Sequence, residues 1–163
     1  MKNIIVVDMQ KGFINKNNEE LVNKINRYLS NKHFDNIIYT KYINFPESPF
    51  IKFLDWTDLQ DKDSQQIAVD IVDGAKIFEK AGYGIDDKII KYLKSKNITE
   101  CEVCGTNSDA CVMAVAFNLF DNDIKPIIIY DLCGTNNVKK IDDCAKEIFP
   151  HVFPKSDINN KKW

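Results

Sequence analysis

Arginine is almost missing from this 163-residue chain: Arg27 is the only one, and lysines carry nearly all of the positive charge. Fork-shaped, two-bond grips on phosphate or carboxylate groups are therefore scarce from the outset. Cations are not in excess either. The 22 basic residues face 24 acidic ones, for a formal charge of -2. Nucleic-acid binding needs clustered cation excess, so no nucleic-acid partner is expected. Histidine occurs only twice, at His33 and His151. No apolar run approaches the roughly 20 residues of a membrane span; the longest, around Ile127 to Tyr130, is strand-sized, and no membrane partner is expected. The opening MKNIIVVD passes into charge too soon for a signal peptide. Five cysteines, an odd number without a secretion signal, read as reduced thiols of a cytoplasmic protein.

Hydrophobic residues make up 44% and charged residues 28%, a composition that folds rather than one that stays disordered. The length fits one domain, residues 1–163, able to bury about 70% of its unfolded surface without a disulfide or metal staple. Short runs rich in Ile and Val alternate with stretches of helical period. Strands are expected at Ile4 to Val7, Asn36 to Lys41, Lys76 to Glu79, Glu102 to Gly105 and Pro126 to Tyr130, with a short closing strand at His151 to Phe153. Between them, one helix carries Leu21, Val22, Ile25, Tyr28 and Leu29 on one face behind an Asn17 or Asn18 cap. Asp86 opens another, Ala110 to Phe120 forms a strongly apolar third, and Val138, Ile141, Ala145 and Ile148 line the last. Strands apolar throughout and separated by helices indicate a mainly parallel sheet covered on both faces, a three-layer α/β/α fold. The stretch from 43 to 71 has no clear period; it is read as a substrate-covering loop with one short helix around Phe50 to Leu54.

In such sheets ligands bind beyond the carboxyl ends of the strands. Three chemically capable residues fall there: Asp8 ends the first strand, Lys80 follows the third, and Cys111 stands in the first turn of the helix after the fourth. A thiol at a helix N-terminus meets the positive end of the helix dipole and unpaired N–H groups, which predicts a pKa below the ordinary cysteine value. The same N–H groups suit a developing oxyanion. Position alone favours the plainer reading of Cys111 as a small buried hydrophobe. A carboxylate and an ammonium converging on it change that weighting, because together they can take its proton and balance its charge. Cys101, Cys104, Cys133 and Cys144 are read as structural; residues three apart on a strand point to opposite faces, so the C-x-x-C pair is poorly placed to share a metal or form a disulfide.

Three segments, VVDMQKGF, EKAGYG and GTNSDACV, occur in the order and at the intervals of the isochorismatase-like cysteine hydrolases, which include nicotinamidases and N-carbamoylsarcosine amidase. The chain resembles that family over nearly its whole length. The resemblance implies that Cys111 is the nucleophile, Asp8 the general base and Lys80 the stabilising cation. It further implies a cis peptide between Thr106 and Asn107, with the backbone N–H groups of Asn107 and Cys111 as the oxyanion hole. Relatives are commonly homodimers or larger, so a homo-oligomer is expected, acting on a small-molecule substrate. Phe13, Tyr42, Phe45 and Tyr83 are the candidate substrate-binding walls.

The departures from the family pattern carry information. Ser108 stands where the family usually has threonine, and Ala110 where a bulkier residue is usual. Nicotinamidases of the family carry an Asp-x-His…His metal site after the second strand, whereas Thr40 to Glu47 contains no histidine. No metal and no other cofactor is therefore expected. True isochorismatase cleaves a vinyl ether without needing the cysteine that Cys111 supplies here. Amide hydrolysis through a Cys111 thioester is the leading expectation. Ureido or carbamoyl hydrolysis, and a non-catalytic binding protein keeping the fold, stand beside it.

Overall fold

In the computed structural model, residues 1–153 and the two-residue strand Ile158–Asn159 are described. Six strands form one sheet in the order β3-β2-β1-β4-β5-β6: β1 Asn3–Val7, β2 Asn36–Tyr42, β3 Lys76–Lys80, β4 Glu100–Thr106, β5 Lys125–Gly134 and β6 Ile158–Asn159. Every adjacent pair is parallel. All five residues of β1 are buried, so alternate side chains are covered on both faces of the sheet. The chain winds outward from β1 through β2 to β3, then crosses back to β4 and winds the other way. The reversal falls between β1 and β4, the place where doubly wound sheets open a crevice at their carboxyl ends.

The helices follow the apolar periodicity. Helix α1, Glu20–Asn31, buries Leu21, Ile25, Tyr28 and Leu29. Its expected asparagine cap is not made: Asn18 turns its amide to the Phe13 carbonyl and the Thr106 hydroxyl, bracing the end of β4. Helix α3, Asp87–Ser95, begins as read, with the Asp86 side chain accepting from the Ile89 N–H. Within the irregular stretch, α2 spans Pro49–Leu54, capped by Ser48 and started by proline at its first position. The apolar helix after β4 is split: a π-type turn, Ser108–Val112, leads into α4, Met113–Asp121.

The end of the chain departs from expectation. His151 and Val152 form no strand; they complete α5, Lys139–Val152, and the closing strand is β6. Pro150 lies inside this helix and has no N–H to give to the Lys146 carbonyl. The Tyr130 hydroxyl donates to that carbonyl instead, while Ala145 and Phe149 keep the buried stripe continuous. None of the helices of the described residues is long and apolar enough to cross a membrane.

Candidate active site

Asp8 follows β1 with a φ of 46°, a left-handed conformation that costs a non-glycine residue free energy and persists where neighbours fix it. The neighbour is Thr40 on β2. Its hydroxyl accepts from the Asp8 N–H at 3.1 Å and donates to Asp8 Oδ1 at 2.7 Å. Gln10 holds the next turn: its side-chain amide donates to the Tyr42 and Gln65 carbonyls, and its Oε1 accepts the Tyr42 N–H. The carboxylate is thereby fixed with Oδ2 facing Lys80, whose Nζ lies 2.7 Å away.

Lys80 is the last residue of β3 and is buried rather than solvated, its side chain 1% exposed against 0% for Asp8. Nζ donates to the carbonyls of Gly82 and Tyr83, at 2.6 and 2.9 Å, leaving one N–H for the side of Asp8 and Cys111. The turn that offers those carbonyls is pinned by Asn118 of α4, whose Oδ1 accepts the Ile85 N–H at 2.9 Å. A Cβ at Gly84 would lie 1.9 Å from that same oxygen, so a side chain there would displace the Asn118 amide that holds the turn. Burial alone would lower the Lys80 pKa, but the Asp8 carboxylate, and then Cys111, outweigh it and leave the ammonium above its ordinary value.

Cys111 lies in the π-type turn, buried, close enough to Asp8 and Lys80 for the charges of both to act on its thiol. The flanking N–H groups of Ala110 and Val112 both donate to the Asn107 carbonyl, which shapes the turn around the sulfur. The Thr106–Asn107 peptide is cis. Asn107 is held by its own side chain: Oδ1 accepts from the Thr106 hydroxyl at 2.6 Å and from the Asn136 N–H at 3.0 Å. Ser108 keeps the hydroxyl of the residue it stands in for, and donates it to Asp142 of α5.

The thiol corrects one expectation. A lowered pKa was read from the helix N-terminus, yet burial first, and then the Asp8 charge, push Cys111 well above the ordinary cysteine range, with Lys80 opposing. Asp8 already balances the ammonium, so a thiolate would be a second anion against one cation. At rest the group is a thiol, and it loses its proton only as something accepts it.

Above the sulfur opens a cavity of about 500 Å³. Its lining combines the rings of Phe13, Tyr42, Phe50, Trp56 and Tyr83 with the polar side chains of Asn107, Asp109, Asn136 and Asn137. Three of the four expected walls are present. Phe45 is not among the lining residues and stands 40% exposed; Phe50 and Trp56, from the stretch without period, take its place. Trp56 stacks on Phe13 with ring centres 5.8 Å apart and planes 5° from parallel, and Phe50 packs on Tyr42 and Tyr83. Sequence reasoning also missed Thr40, Gln10 and Asn118. Their only signal was a polar residue within an otherwise apolar stripe.

The family described as Isochorismatase domain matches residues 2–153. No curated protein sequence matches the chain. Among solved structures, an isochorismatase-like hydrolase from Alkaliphilus metalliredigens superposes with a TM-score of 0.83 at 13% identity, covering 94% of this chain and 93% of the other. Pyrazinamidase of Pyrococcus horikoshii in complex with zinc gives 0.81 at 19%, covering 99% of each chain. N-carbamoylsarcosine amidase from Thermoplasma acidophilum gives 0.80 at 17%, covering 98% and 95%. At these identities the structural likeness speaks for the fold.

The residues after β2 do not fit a zinc site. Asn44 is buried with its amide fully engaged: Nδ2 donates to the Trp56 and Asp58 carbonyls, and Oδ1 accepts from the Tyr42 and Ser48 hydroxyls. Those bonds tie the cavity wall together and leave Asn44 no free lone pair aimed at a metal. Among the described residues, no three His, Cys, Asp or Glu side chains are grouped to hold one.

Proposed function

Given that this chain belongs to the isochorismatase family, we propose that it is a cysteine hydrolase that cleaves the C–N bond of a small amide through a thioester on Cys111. The observation that carries this reading is a buried ion pair of carboxylate and ammonium, 2.7 Å apart, whose charges both act on the one buried thiol that lines a cavity. Asp8 takes the thiol proton as sulfur attacks the carboxamide carbon. The carbonyl electrons move onto oxygen, which the N–H groups of Asn107 and Cys111 receive. Collapse of the tetrahedral species breaks the C–N bond, and the proton on Asp8 goes to the departing ammonia. Asp8, again a carboxylate, then draws a proton from water as its oxygen attacks the thioester. The C–S bond breaks, the acid leaves, and sulfur recovers the proton. Lys80 stays protonated throughout and keeps Asp8 and the transient thiolate from facing one another uncompensated.

A screen of small amides for ammonia release, with intact-mass detection of an acyl adduct, tests the reading. Ammonia should appear with the native protein and vanish with Cys111→Ala, and a trapped acyl group should map to residue 111. Turnover that survives Cys111→Ala would sink the proposal. Carbon dioxide released in step with ammonia would instead identify a ureido substrate.

A further inference from the structure

We infer that the cavity selects amides bearing a cationic, donor-rich group and discriminates against those bearing a carboxylate, with Asp109 setting the preference. This rests on the hydrolase reading and names the substrate class for it. Among the lining residues there is no lysine, arginine or histidine; Asp109 is the only charged one. The nearby ammonium of Lys80 is committed to Asp8 and two carbonyls and lies 1% exposed. Arg27, the one residue able to clamp a carboxylate with two parallel bonds, is exposed on α1 and does not line the cavity.

Two features of the lining favour a cation. Five rings present aromatic surface, whose faces carry negative potential and attract ammonium and guanidinium groups. Their mutual packing, with Phe13 stacked on Trp56 and Phe50 packed on Tyr42 and Tyr83, fixes that surface in advance. The second feature is Asp109, the charged residue of the lining. Its Oδ2 receives only a long bond from Asn137, at 3.4 Å, and its Oδ1 is buried without a hydrogen-bond partner among the described residues. Oδ2, holding only that one long bond, has room for a donor brought by a ligand. Asp109 also sits in the first turn of the segment that leads into α4, where its charge offsets the positive end of the helix that an anion would seek. Asn107, with Oδ1 already occupied by two donors, and Asn136 add neutral polar groups to the lining.

Equilibrium titration of the Cys111→Ala protein with three primary amides on one ring tests this: benzamide, 4-(trimethylammonio)benzamide and 4-carbamoylbenzoate. In low-salt buffer the cation should bind at least about tenfold more tightly than the anion, with the neutral amide between them. Added salt should narrow the ratio, and Asp109→Asn should bring cation and neutral amide to within about twofold. Equal or tighter binding of the carboxylate, a ratio indifferent to Asp109→Asn, or no binding of the cation at millimolar concentration would overturn the inference. Should Asp109→Asn fail to fold by circular dichroism, Asn137→Asp serves instead: a second carboxylate beside the first should widen the ratio, and an unchanged ratio counts against the proposal. Turnover separates the two readings. A cation that binds in this order yet releases no ammonia from the native protein counts against the hydrolase; equal kcat/KM for all three amides leaves the hydrolase standing and removes the charge preference.

Discussion

At residue 111 the chemistry depends on which group holds a proton. Burial and the Asp8 charge keep the thiol protonated at neutral pH, while Lys80 pulls the other way. Alkylation by iodoacetamide requires thiolate, so the rate at Cys111 should still be climbing at pH 9, above the ordinary thiol pKa of about 8.5. A plateau below pH 8 would show a thiolate already formed at rest. Replacing Asp8 by asparagine separates two properties that normally travel together. It removes the anion that raises the thiol pKa and leaves Lys80, so alkylation at pH 7 should be faster than in the native protein. It also removes the proposed base, so amide turnover by the proposed route should drop by roughly 100- to 10,000-fold. Mass-spectrometric alkylation rates set beside ammonia release read both; slower alkylation in Asp8→Asn would mean that the carboxylate does not hold the proton on sulfur.

Elements place these residues, and their contacts decide which substitutions they tolerate. Gly105 lies in β4 beside Val7 of β1 with a φ of 120°, and a Cβ there would fall 2.2 Å from the Val7 carbonyl oxygen. Gly105→Ala combines a disfavoured backbone with a backbone clash at the strand pair that carries Asp8 on one side and leads to Cys111 on the other. It should cost roughly 3 kcal/mol or more in urea unfolding and depress kcat in whatever protein folds. A variant within about 0.5 kcal/mol of the native protein would contradict that geometry. Strands β1 and β2 and helix α3 were legible beforehand because period and cap agree within one segment. The π-type turn was not, since its shape comes from bonds to the Asn107 carbonyl that no periodicity encodes. Nor was the true end of α5, where a tyrosine 20 positions before Pro150 takes up the carbonyl that the proline leaves free. The burial of Lys80 escaped for the same reason: its cradle needs Asn118, which lies 33 positions beyond the Ile85 N–H it holds.

The whole molecule can be interrogated through its five thiols, all of them free and each in a different relation to the core. Cys144 is exposed on α5; Cys101, Cys104 and Cys133 are at most 2% exposed within β4 and β5; Cys111 is 5% exposed beneath the cavity. The adjoining strands β4 and β5 pair along most of their length, so the three strand thiols cannot meet a bulky disulfide reagent unless that pairing opens. Native protein with Ellman's reagent should therefore give one fast equivalent, lost in Cys144→Ala. A slower equivalent should follow at Cys111 and should be delayed by any ligand that fills the cavity. Three more should appear at a rate that tracks urea and coincides with global unfolding by circular dichroism. Burial raises the pKa of all three strand thiols, that of Cys133 to about 12, so even a transient opening short of unfolding would expose thiol rather than thiolate. Fast reaction of a strand thiol in native protein would mean that the sheet opens locally between β4 and β5. Since β4 leads directly into the turn that holds Cys111, such an opening would have to lower catalysis as well. The same labelling experiment thus measures how far the site depends on the sheet beneath it.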